Sequence, residues 1–509
     1  MKKTFEFITR FFLVMTAFAA FACKMNLSIN SNSDSYSSYS KAKIIDKADF
    51  VEETDLLFMM YLDGDNNLNN VSWYNVALAQ YGLANADSSK ISVVVLIDGN
   101  TKKCTNPIGD GKSHLLKLGA YSQNEYEITG GELNTNNSEH ISENTKDYSS
   151  DVNWIYEKNY EVDMSSGDTL YNFLYWAKKH FQAEKTILVL QNHGGGPFDE
   201  LTTSISSSRT LCWDDTTGNK KYLSTSDVTA AINQTFGKID MLVEDVCLQC
   251  SIEEVYGLRN AVNYLVASPN TTYGPTYNYD KVIPFASKDS QEVVDIGKKF
   301  IDYNYDKCKN LTLYTGSEDL NKPSCMELSL TLVDCSQAEV LEDIKTQTNQ
   351  LADAIMKSEE RDKLLQHIGI LKRNNSVFFY GFLFSGSYVY TNDLGVLCYL
   401  LKNEEDTAVS AIAENLLSDL SSIIVYAWSG GKLHNWYYSG DSSYGELDFL
   451  KIPSEGSCPW GISITAARLK TTNTYGITKY GNSLENYASW TEFAKNNSWA
   501  HLLSIYKND

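Results

Sequence analysis

"KIDMLVEDVCLQCSIEEVYGLRNAVNYLVAS" occupies residues 238–268 and places a helical segment between two short apolar segments. The apolar segments, residues 239–246 and 263–268, are typical of strands that are buried on both faces of a parallel sheet. Between them, Ser251 is a favourable N-cap residue, and the two glutamates that follow it suit the first turn of a helix. A strand, a helix and a second strand in this order predict a β–α–β unit.

The same alternation continues towards the N-terminus. The apolar segments there are residues 56–62, 91–97 and 185–191, and the helical segments are residues 71–84, 168–181 and 225–236. This order predicts an α/β fold over residues 51–301, with a mainly parallel sheet flanked by helices. Residues 100–163 are polar and rich in turn residues, so we expect an insertion there. Residues 302–509 predict a mixed α+β region that is packed on this core.

The first 22 residues have the features of an export signal, with a basic start, an apolar segment and small residues before Cys23. The site resembles a relaxed bacterial lipobox, which predicts a lipoprotein with the lipid on Cys23; simple secretion is the alternative. Residues 23–50 are rich in Ser and Asn and predict a flexible tether. We therefore expect an exported protein that is anchored to a membrane of the bacterial cell envelope, or is otherwise secreted.

Composition bears on the partners of the protein. The chain of 509 residues has 43 Lys and Arg against 64 Asp and Glu, a formal net charge of −21. Because an acidic surface repels phosphate backbones, no nucleic-acid partner is expected. Ten cysteines are too sparse for a disulfide scaffold, and neither their pairing nor the oligomeric state follows from the sequence.

Two predicted strand ends have side chains suited to catalysis. His193 precedes three glycines just beyond one strand, and Asp245 and Cys247 lie at the end of the next. Catalytic groups in open α/β sheets collect at such carboxyl ends. An imidazole can move protons near neutral pH, and glycines leave main-chain N–H groups available to an oxyanion. A thiolate beside these groups predicts acyl transfer through a covalent thioester.

Other interpretations of the same residues stay open at this point. A single His at a strand end is more often structural than catalytic, and a Cys in an apolar strand is usually part of the core. Cys247 and Cys250 also form a Cys-x-x-Cys pair, which occurs in zinc sites and redox centres. The chain has no HExxH, no GxSxG and no second Cys-x-x-Cys, so zinc-enzyme and serine-hydrolase interpretations lose their usual support.

The chain resembles the clostripain family of cysteine endopeptidases, which have a caspase/gingipain-like fold. The resemblance rests on YLDGDNNL at residues 61–68, NHGGG at 192–196, CWDD at 212–215, EDVCLQC at 244–250 and the closing residues 480–503. It runs from about residue 54 to the end of the chain. It implies a catalytic dyad of His193 and Cys247, with an oxyanion hole made of the N–H groups of Gly194 and Cys247.

The resemblance also implies a specificity and a maturation step. The Asp two residues before the nucleophile, here Asp245, lies in the family's S1 pocket and pairs with a substrate Arg or Lys. No second acid occurs in the following segment before Asp280, so the choice between Arg and Lys stays open. The family is activated by self-cleavage between the His and Cys strands. We expect the cut after Arg209, Lys220 or Lys221, with Arg209 as the first choice.

No cofactor is expected to be required, and no metal ligand is assigned. Asp63, Asp65, Asn66 and Asn67 suggest a calcium loop, but an EF-hand register fails because Leu68 occupies the glycine position. Calcium bound elsewhere stays open, since some clostripain relatives respond to it.

The predicted function is therefore an exported cysteine endopeptidase, a hydrolase of protein and peptide bonds that follow basic residues. The alternative is a non-catalytic surface lipoprotein of the same fold that binds peptides or host proteins. The sequence does not identify the physiological substrate of either.

Overall fold

The computed structural model describes most of the chain after residue 43. The described residues are 44–104, 106–121, 141–196, 211–216, 222–270, 272, 277–310, 328–368, 378–384, 387–432, 436–438, 446–452, 460–465 and 491–505. Cys23, Arg209, Lys220 and Lys221 lie outside these described residues.

The described residues contain fourteen strands, which form two sheets. The strands are β1 (Glu52–Gly64), β2 (Ile91–Gly99), β3 (His114–Lys117), β4 (Lys146–Asp147), β5 (Phe181–Gln191), β6 (Ile239–Asp245), β7 (Val262–Ala267), β8 (Leu328–Asp334), β9 (Phe378–Phe384), β10 (Ser387–Asp393), β11 (Ile424–Lys432), β12 (Trp436–Tyr438), β13 (Glu446–Ile452) and β14 (Ser463–Thr465). Ten strands form a large sheet in the order β13-β11-β8-β7-β6-β5-β1-β2-β3-β4, and four form a second sheet in the order β12-β9-β10-β14.

Twelve helices accompany these strands in the same described ranges. The helices are α1 (Asn69–Leu83), α2 (Asn153–Tyr156), α3 (Gly167–His180), α4 (Thr225–Thr235), α5 (Ile252–Leu258), α6 (Tyr279–Ala286), α7 (Val293–Asn310), α8 (Ala338–Lys357), α9 (Arg361–His367), α10 (Leu394–Leu401), α11 (Thr407–Ile423) and α12 (Ser498–Ile505). Of the helices described, none has the length and apolar character that a membrane span requires.

The centre of the large sheet is parallel. Strands β2, β1, β5, β6 and β7 pair side by side in the same direction. On one edge, β3 and β4 from the predicted insertion add antiparallel strands. On the other edge, β8, β11 and β13 do the same, so residues beyond 302 contribute to this sheet as well. The predicted α/β class is confirmed, and the domain boundaries stay predictions.

Helices cover both faces of the central strands. On one face, Phe58 and Met60 of β1 belong to a buried apolar cluster that includes residues of α1, α6 and α7, and the ring of Phe58 stacks 6.2 Å from that of Phe300. On the other face, the ring of Tyr61 lies 6.1 Å from that of Phe173 in α3. Because neither face meets water, the strand sequences are apolar at nearly every position.

An ion-pair network links the C-terminal residues to α5, the helix that follows Cys247. Arg259 is 8% exposed and lies directly after α5. Its guanidinium contacts Glu342 of α8 at 3.2 Å and Glu492 at 2.8 Å, and it lies 3.7 Å from the centre of the Tyr256 ring. The hydrogen bond from Arg259 lowers the pKa of Glu492, so this carboxylate is charged at neutral pH.

Replacing Arg259 by Ala should destabilise the protein, because this buried cation contacts two carboxylates and an aromatic ring. We expect the free energy of unfolding, measured by urea denaturation, to fall by about 2 kcal/mol. The control is Arg361→Ala: Arg361 is half exposed beside Asp362, and its loss should cost less than about 0.5 kcal/mol. Equal losses in the two variants would contradict a special role for the Arg259 network.

Candidate active site

The register between β5 and β6 brings the two predicted catalytic residues to one edge of the sheet. Gln191 of β5 pairs with Asp245 of β6 in parallel register. His193 and Cys247 each follow their paired residue by two positions. Both side chains are half-buried, as a site that must admit a substrate requires. The position of both residues at the carboxyl ends of neighbouring strands agrees with the position inferred from the sequence.

Gly194 is in direct backbone contact with Cys247. A Cβ atom at position 194 would lie 2.0 Å from the carbonyl oxygen of Cys247 and 2.9 Å from its nitrogen. Distances this short leave no room for any side chain, so only glycine fits. The two main chains are therefore neighbours just beyond the paired ends of β5 and β6.

Asn67 contacts the catalytic His candidate from the loop that follows a third strand. It belongs to the β1–α1 loop, which comprises residues 65–68 between β1 and α1. The Oδ1 atom of Asn67 lies 2.9 Å from Nε2 of His193. Because an amide oxygen only accepts, Nε2 holds the hydrogen in this contact, and Nδ1 is the nitrogen that can take up a proton.

Asn192 holds the turn that presents His193. Its side-chain oxygen accepts hydrogen bonds from the main-chain nitrogens of His193 and Trp213, and its side-chain nitrogen donates to the carbonyl of Asp63 at 2.6 Å. One buried amide thus connects the end of β5, the end of β1 and the chain near residue 213. This network fixes the imidazole relative to the sheet.

Thr272 supplies a hydrogen-bond donor to the sulfur of Cys247. Its main-chain nitrogen lies 3.3 Å from Sγ, and its carbonyl and hydroxyl oxygens each lie 3.7 Å from Sγ. A donor N–H stabilises negative charge on sulfur and thus favours a thiolate.

Asp245 lies on the face of the sheet covered by α1 and α6, and it is 5% exposed. Its Oδ2 atom accepts from the hydroxyl of Tyr279 at 3.0 Å and from Nδ2 of Asn75 at 3.3 Å. Burial, and then the charge of Asp245, raise the pKa of Tyr279 well above its ordinary value, so the phenol stays a donor. The carboxylate is therefore held at a fixed orientation by two helices.

Cys250 occupies an environment quite unlike that of Cys247. It is fully buried, and burial followed by the charge of Glu244 raises the pKa of its thiol well above the ordinary value. Its main-chain nitrogen and oxygen pair with Ser268 and Ser463, which are structural contacts. Both cysteines are free thiols. A buried neutral thiol is a poor redox partner, so the Cys-x-x-Cys spacing does not indicate a disulfide centre.

Four carboxylates form an acidic cluster that begins in the β1–α1 loop. One oxygen from each of Asp65, Asp98, Glu161 and Asp214 lies within 4.8 Å of the others. Asp65 and Asp98 are fully buried, and Asp214 is 2% exposed. Burial and the charges of Asp65 and Asp214 raise the pKa of Glu161 to about 7. All four donors are hard oxygen ligands, so the cluster fits Ca²⁺ in chemistry and spacing.

The sequence alone did not identify several residues of this site. Asn75, Thr272 and Tyr279 have ordinary surroundings in the sequence, and only the packing of α1 and α6 and the turn after β7 brings them to the site. Asp65 lies in the stretch considered as a calcium loop, whereas its three partners come from distant parts of the chain. No local signal marks contacts of this kind. The expectation that no cofactor is required stays a prediction.

Comparison with known proteins supports the predicted fold and the predicted cysteine-peptidase activity. A model described as the clostripain family matches residues 60–505. Clostripain of Hathewaya histolytica is 21% identical over 506 residues, which cover 91% of this chain and 89% of that protein.

Two solved structures are similar in fold. One is a secreted C11 cysteine protease from Bacteroides thetaiotaomicron in complex with an irreversible peptide inhibitor, with a TM-score of 0.53, 16% identity, and coverage of 86% of this chain and 99% of that chain. The other is an inactive zymogen C11 protease from Parabacteroides distasonis, with a TM-score of 0.53, 14% identity, and coverage of 88% and 98%. The family model spans most of the chain, and the predicted resemblance is confirmed: the protein belongs to the clostripain family of cysteine peptidases.

Proposed function

We propose that this peptidase hydrolyses peptide bonds that follow Arg or Lys, with Cys247 as the nucleophile and His193 as the proton carrier. The observation that supports the proposal most strongly is the contact of Gly194 with the main chain of Cys247, just beyond the paired Gln191 and Asp245. Near this contact, an imidazole, a thiol and the Asp245 carboxylate lie at the ends of two adjacent strands.

The chemistry proceeds in two steps through a thioester. His193 takes the proton of the Cys247 thiol, Sγ attacks the scissile carbonyl carbon, and the imidazolium returns the proton to the leaving amine. Water, activated by the same imidazole, then hydrolyses the thioester and releases the acid. The N–H of Thr272, 3.3 Å from Sγ, stabilises the sulfur anion before attack.

We assign the oxyanion site to the main-chain N–H groups of Gly194 and Cys247. The support is their proximity, since a Cβ on residue 194 would lie 2.9 Å from the nitrogen of Cys247. Donors that are already in place stabilise charge that develops in the transition state without reorganisation. Glycine at position 194 is therefore required for this oxyanion site, because a side chain would keep the two N–H groups apart.

Asp245 is proposed to recognise the basic side chain of the substrate. Tyr279 and Asn75 orient its carboxylate, which has capacity for further hydrogen bonds from a guanidinium or an ammonium. Oδ1 of Asn75 is buried beside it and has no hydrogen-bond partner within the described residues. This oxygen offers a neutral second acceptor, so a second acid is not required.

We also propose self-processing in the segment between the two strands. Residues 197–210 lie outside the described part of the chain, but Gly194 and Leu211 on either side of it form a bridge. The chain therefore leaves the active-site edge and returns to it, and Arg209 lies only two residues before Leu211. Export, and lipid attachment at Cys23, are proposed from the signal sequence.

Cys247→Ala should abolish turnover of Arg and Lys peptides, because it removes the proposed nucleophile. The matched control is Cys250→Ala, which removes the buried thiol three residues later and should keep activity within about threefold. Turnover of a fluorogenic Arg peptide by the purified, folded variants is the measurement. Activity in Cys247→Ala, or the same loss in both variants, would contradict the assignment of the nucleophile.

Asp245→Asn should lower kcat/KM for Arg and Lys peptides by about 100-fold, because a charged hydrogen-bond acceptor is lost. The variant should cut peptides with Gln directly before the scissile bond no more slowly than the unsubstituted protein does. Glu244→Gln is the control: this neighbouring acid is also buried but points to the other face of the sheet. Unchanged basic preference in Asp245→Asn, measured with a peptide library, would remove Asp245 from the specificity site.

Arg209→Ala should prevent the appearance of two fragments when the full chain is incubated, whereas the double variant Lys220→Ala/Lys221→Ala should be cut normally. N-terminal sequencing of the downstream fragment identifies the bond. Identical fragments from Arg209→Ala and the unsubstituted protein would contradict cleavage at this bond.

A further inference from the structure

We propose that Asn75 makes this peptidase prefer Lys to Arg directly before the scissile bond, because the acceptors around Asp245 suit one ammonium group better than a guanidinium fork. The proposal rests on the proposed role of Asp245 as the acceptor of the substrate's basic side chain. Asn75 then determines specificity in two ways: its amide nitrogen occupies one oxygen of the carboxylate, and its amide oxygen accepts a hydrogen bond from the ammonium.

One oxygen of Asp245 already accepts two hydrogen bonds from the protein. Oδ2 accepts from the hydroxyl of Tyr279 at 3.0 Å and from Nδ2 of Asn75 at 3.3 Å. Since a carboxylate oxygen has two lone-pair sites, these donors use the capacity of Oδ2. A guanidinium fork donates to both oxygens of a carboxylate at once. It would therefore compete with Tyr279 or Asn75 for Oδ2, whereas an ammonium does not need both oxygens.

The amide oxygen of Asn75 lies beside this carboxylate and lacks a donor. Only an amide nitrogen can donate to a carboxylate, so the contact with Asp245 fixes which end of the amide faces the acid. Oδ1 is the other end of the same planar group, and it is buried without a hydrogen-bond partner among the described residues. A buried acceptor without a donor costs free energy and calls for an explanation. An N–H of a substrate ammonium would be the missing donor.

The number of donors on each substrate also favours Lys. An ammonium carries three N–H donors on one atom, whereas a guanidinium carries five across a rigid fork. A donor that loses water and finds no acceptor weakens binding, so a site with few acceptors satisfies the ammonium more completely. The stronger hydration of an ammonium acts in the opposite direction. The added hydrogen bond to Oδ1 of Asn75 offsets this cost.

The two donors on Oδ2 are held too firmly to move aside for a guanidinium. The ring of Tyr279 is fully buried and packs edge-on against the rings of Phe58 and Phe300, at 6.3 Å and 6.2 Å between centroids. The helices α1 and α6, which carry Asn75 and Tyr279, are packed main chain against main chain. A Cβ atom on Gly82 of α1 would lie only 2.8 Å from the carbonyl oxygen of Tyr279. Close packing of this kind resists displacement of either donor.

The proposal describes a preference and leaves Arg as a slower substrate. Self-cleavage after Arg209 is compatible with it, because a bond in the same chain is presented to the active site at a high effective concentration.

The first test compares two fluorogenic peptides that differ only in Lys or Arg directly before the scissile bond. With the unsubstituted, active protein, kcat/KM for the Lys peptide should exceed that for the Arg peptide by about tenfold or more, the usual effect of one lost hydrogen bond to a charged group. Equal values, or faster cleavage of the Arg peptide, would overturn the proposal.

Two variants test the residues that set this ratio. Asn75→Leu removes both amide atoms, so the Lys:Arg ratio of kcat/KM should fall by about tenfold, mainly through slower cleavage after Lys. Tyr279→Phe removes one donor from Oδ2 but keeps the oxygen of Asn75. It should lower the ratio by about threefold, through faster cleavage after Arg.

Tyr277→Phe is the matched control for these variants. It removes a hydroxyl from another fully buried ring two residues earlier, and this hydroxyl lies 3.5 Å from the carbonyl oxygen of Glu244. Its Lys:Arg ratio should equal that of the unsubstituted protein. A smaller folded fraction lowers both rates equally, so misfolding does not change the ratio. An unchanged ratio in Asn75→Leu, a higher ratio in Tyr279→Phe, or the same change in Tyr277→Phe would overturn the role of Asn75.

Asp245→Asn separates this proposal from the proposed function. If this variant keeps its preference for basic residues over Gln, Asp245 is not the acceptor and the proposed specificity site fails. If the variant loses that preference while the unsubstituted protein cuts after Arg and Lys equally well, Asp245 stands and only the assignment of Asn75 fails.

Discussion

Gly194 and Cys247 lie just beyond the ends of two adjacent parallel strands. Their main chains are so close that a methyl group on residue 194 would overlap the Cys247 carbonyl. This contact depends on the register that pairs Gln191 with Asp245. A one-residue shift would turn the side chains of one strand to the opposite face of the sheet and change the position of His193 relative to Cys247. The apolar strands around it, buried on both faces, keep that register and therefore keep the active site.

Burial divides the polar groups near this edge into two kinds. Cys250 and Glu244 lie fully inside the core, and burial raises the pKa of each group well above its ordinary value, so the Cys250 thiol is neutral at physiological pH. Cys247 is half-buried and receives an N–H from Thr272, and Asp245 receives donors from two helices. Two thiols three residues apart therefore differ in chemistry because only one of them reaches the edge of the sheet.

Local sequence patterns were enough to predict the central strands and the helix that starts after Ser251. The rule for strand ends then predicted the positions of His193 and Cys247. The partners of these residues could not be predicted. Asn67, Thr272 and Tyr279 reach the site through loops and helices whose packing has no local sequence signal. The landmark segments YLDGDNNL and CWDD suggested a family, and the structure places a carboxylate of each in the acidic cluster.

The central claim is that Cys247 is the reactive thiol and that the neighbouring Asp245 carboxylate selects a basic side chain. The most direct measurement is alkylation of the full chain by a peptidyl chloromethyl ketone with Lys at its reactive end, followed by peptide mapping with mass spectrometry. One adduct, located on Cys247 and formed at least tenfold more slowly by the same reagent with Glu in place of Lys, is the predicted result. Modification of Cys250 or another cysteine, or equal rates with the two reagents, would contradict the claim.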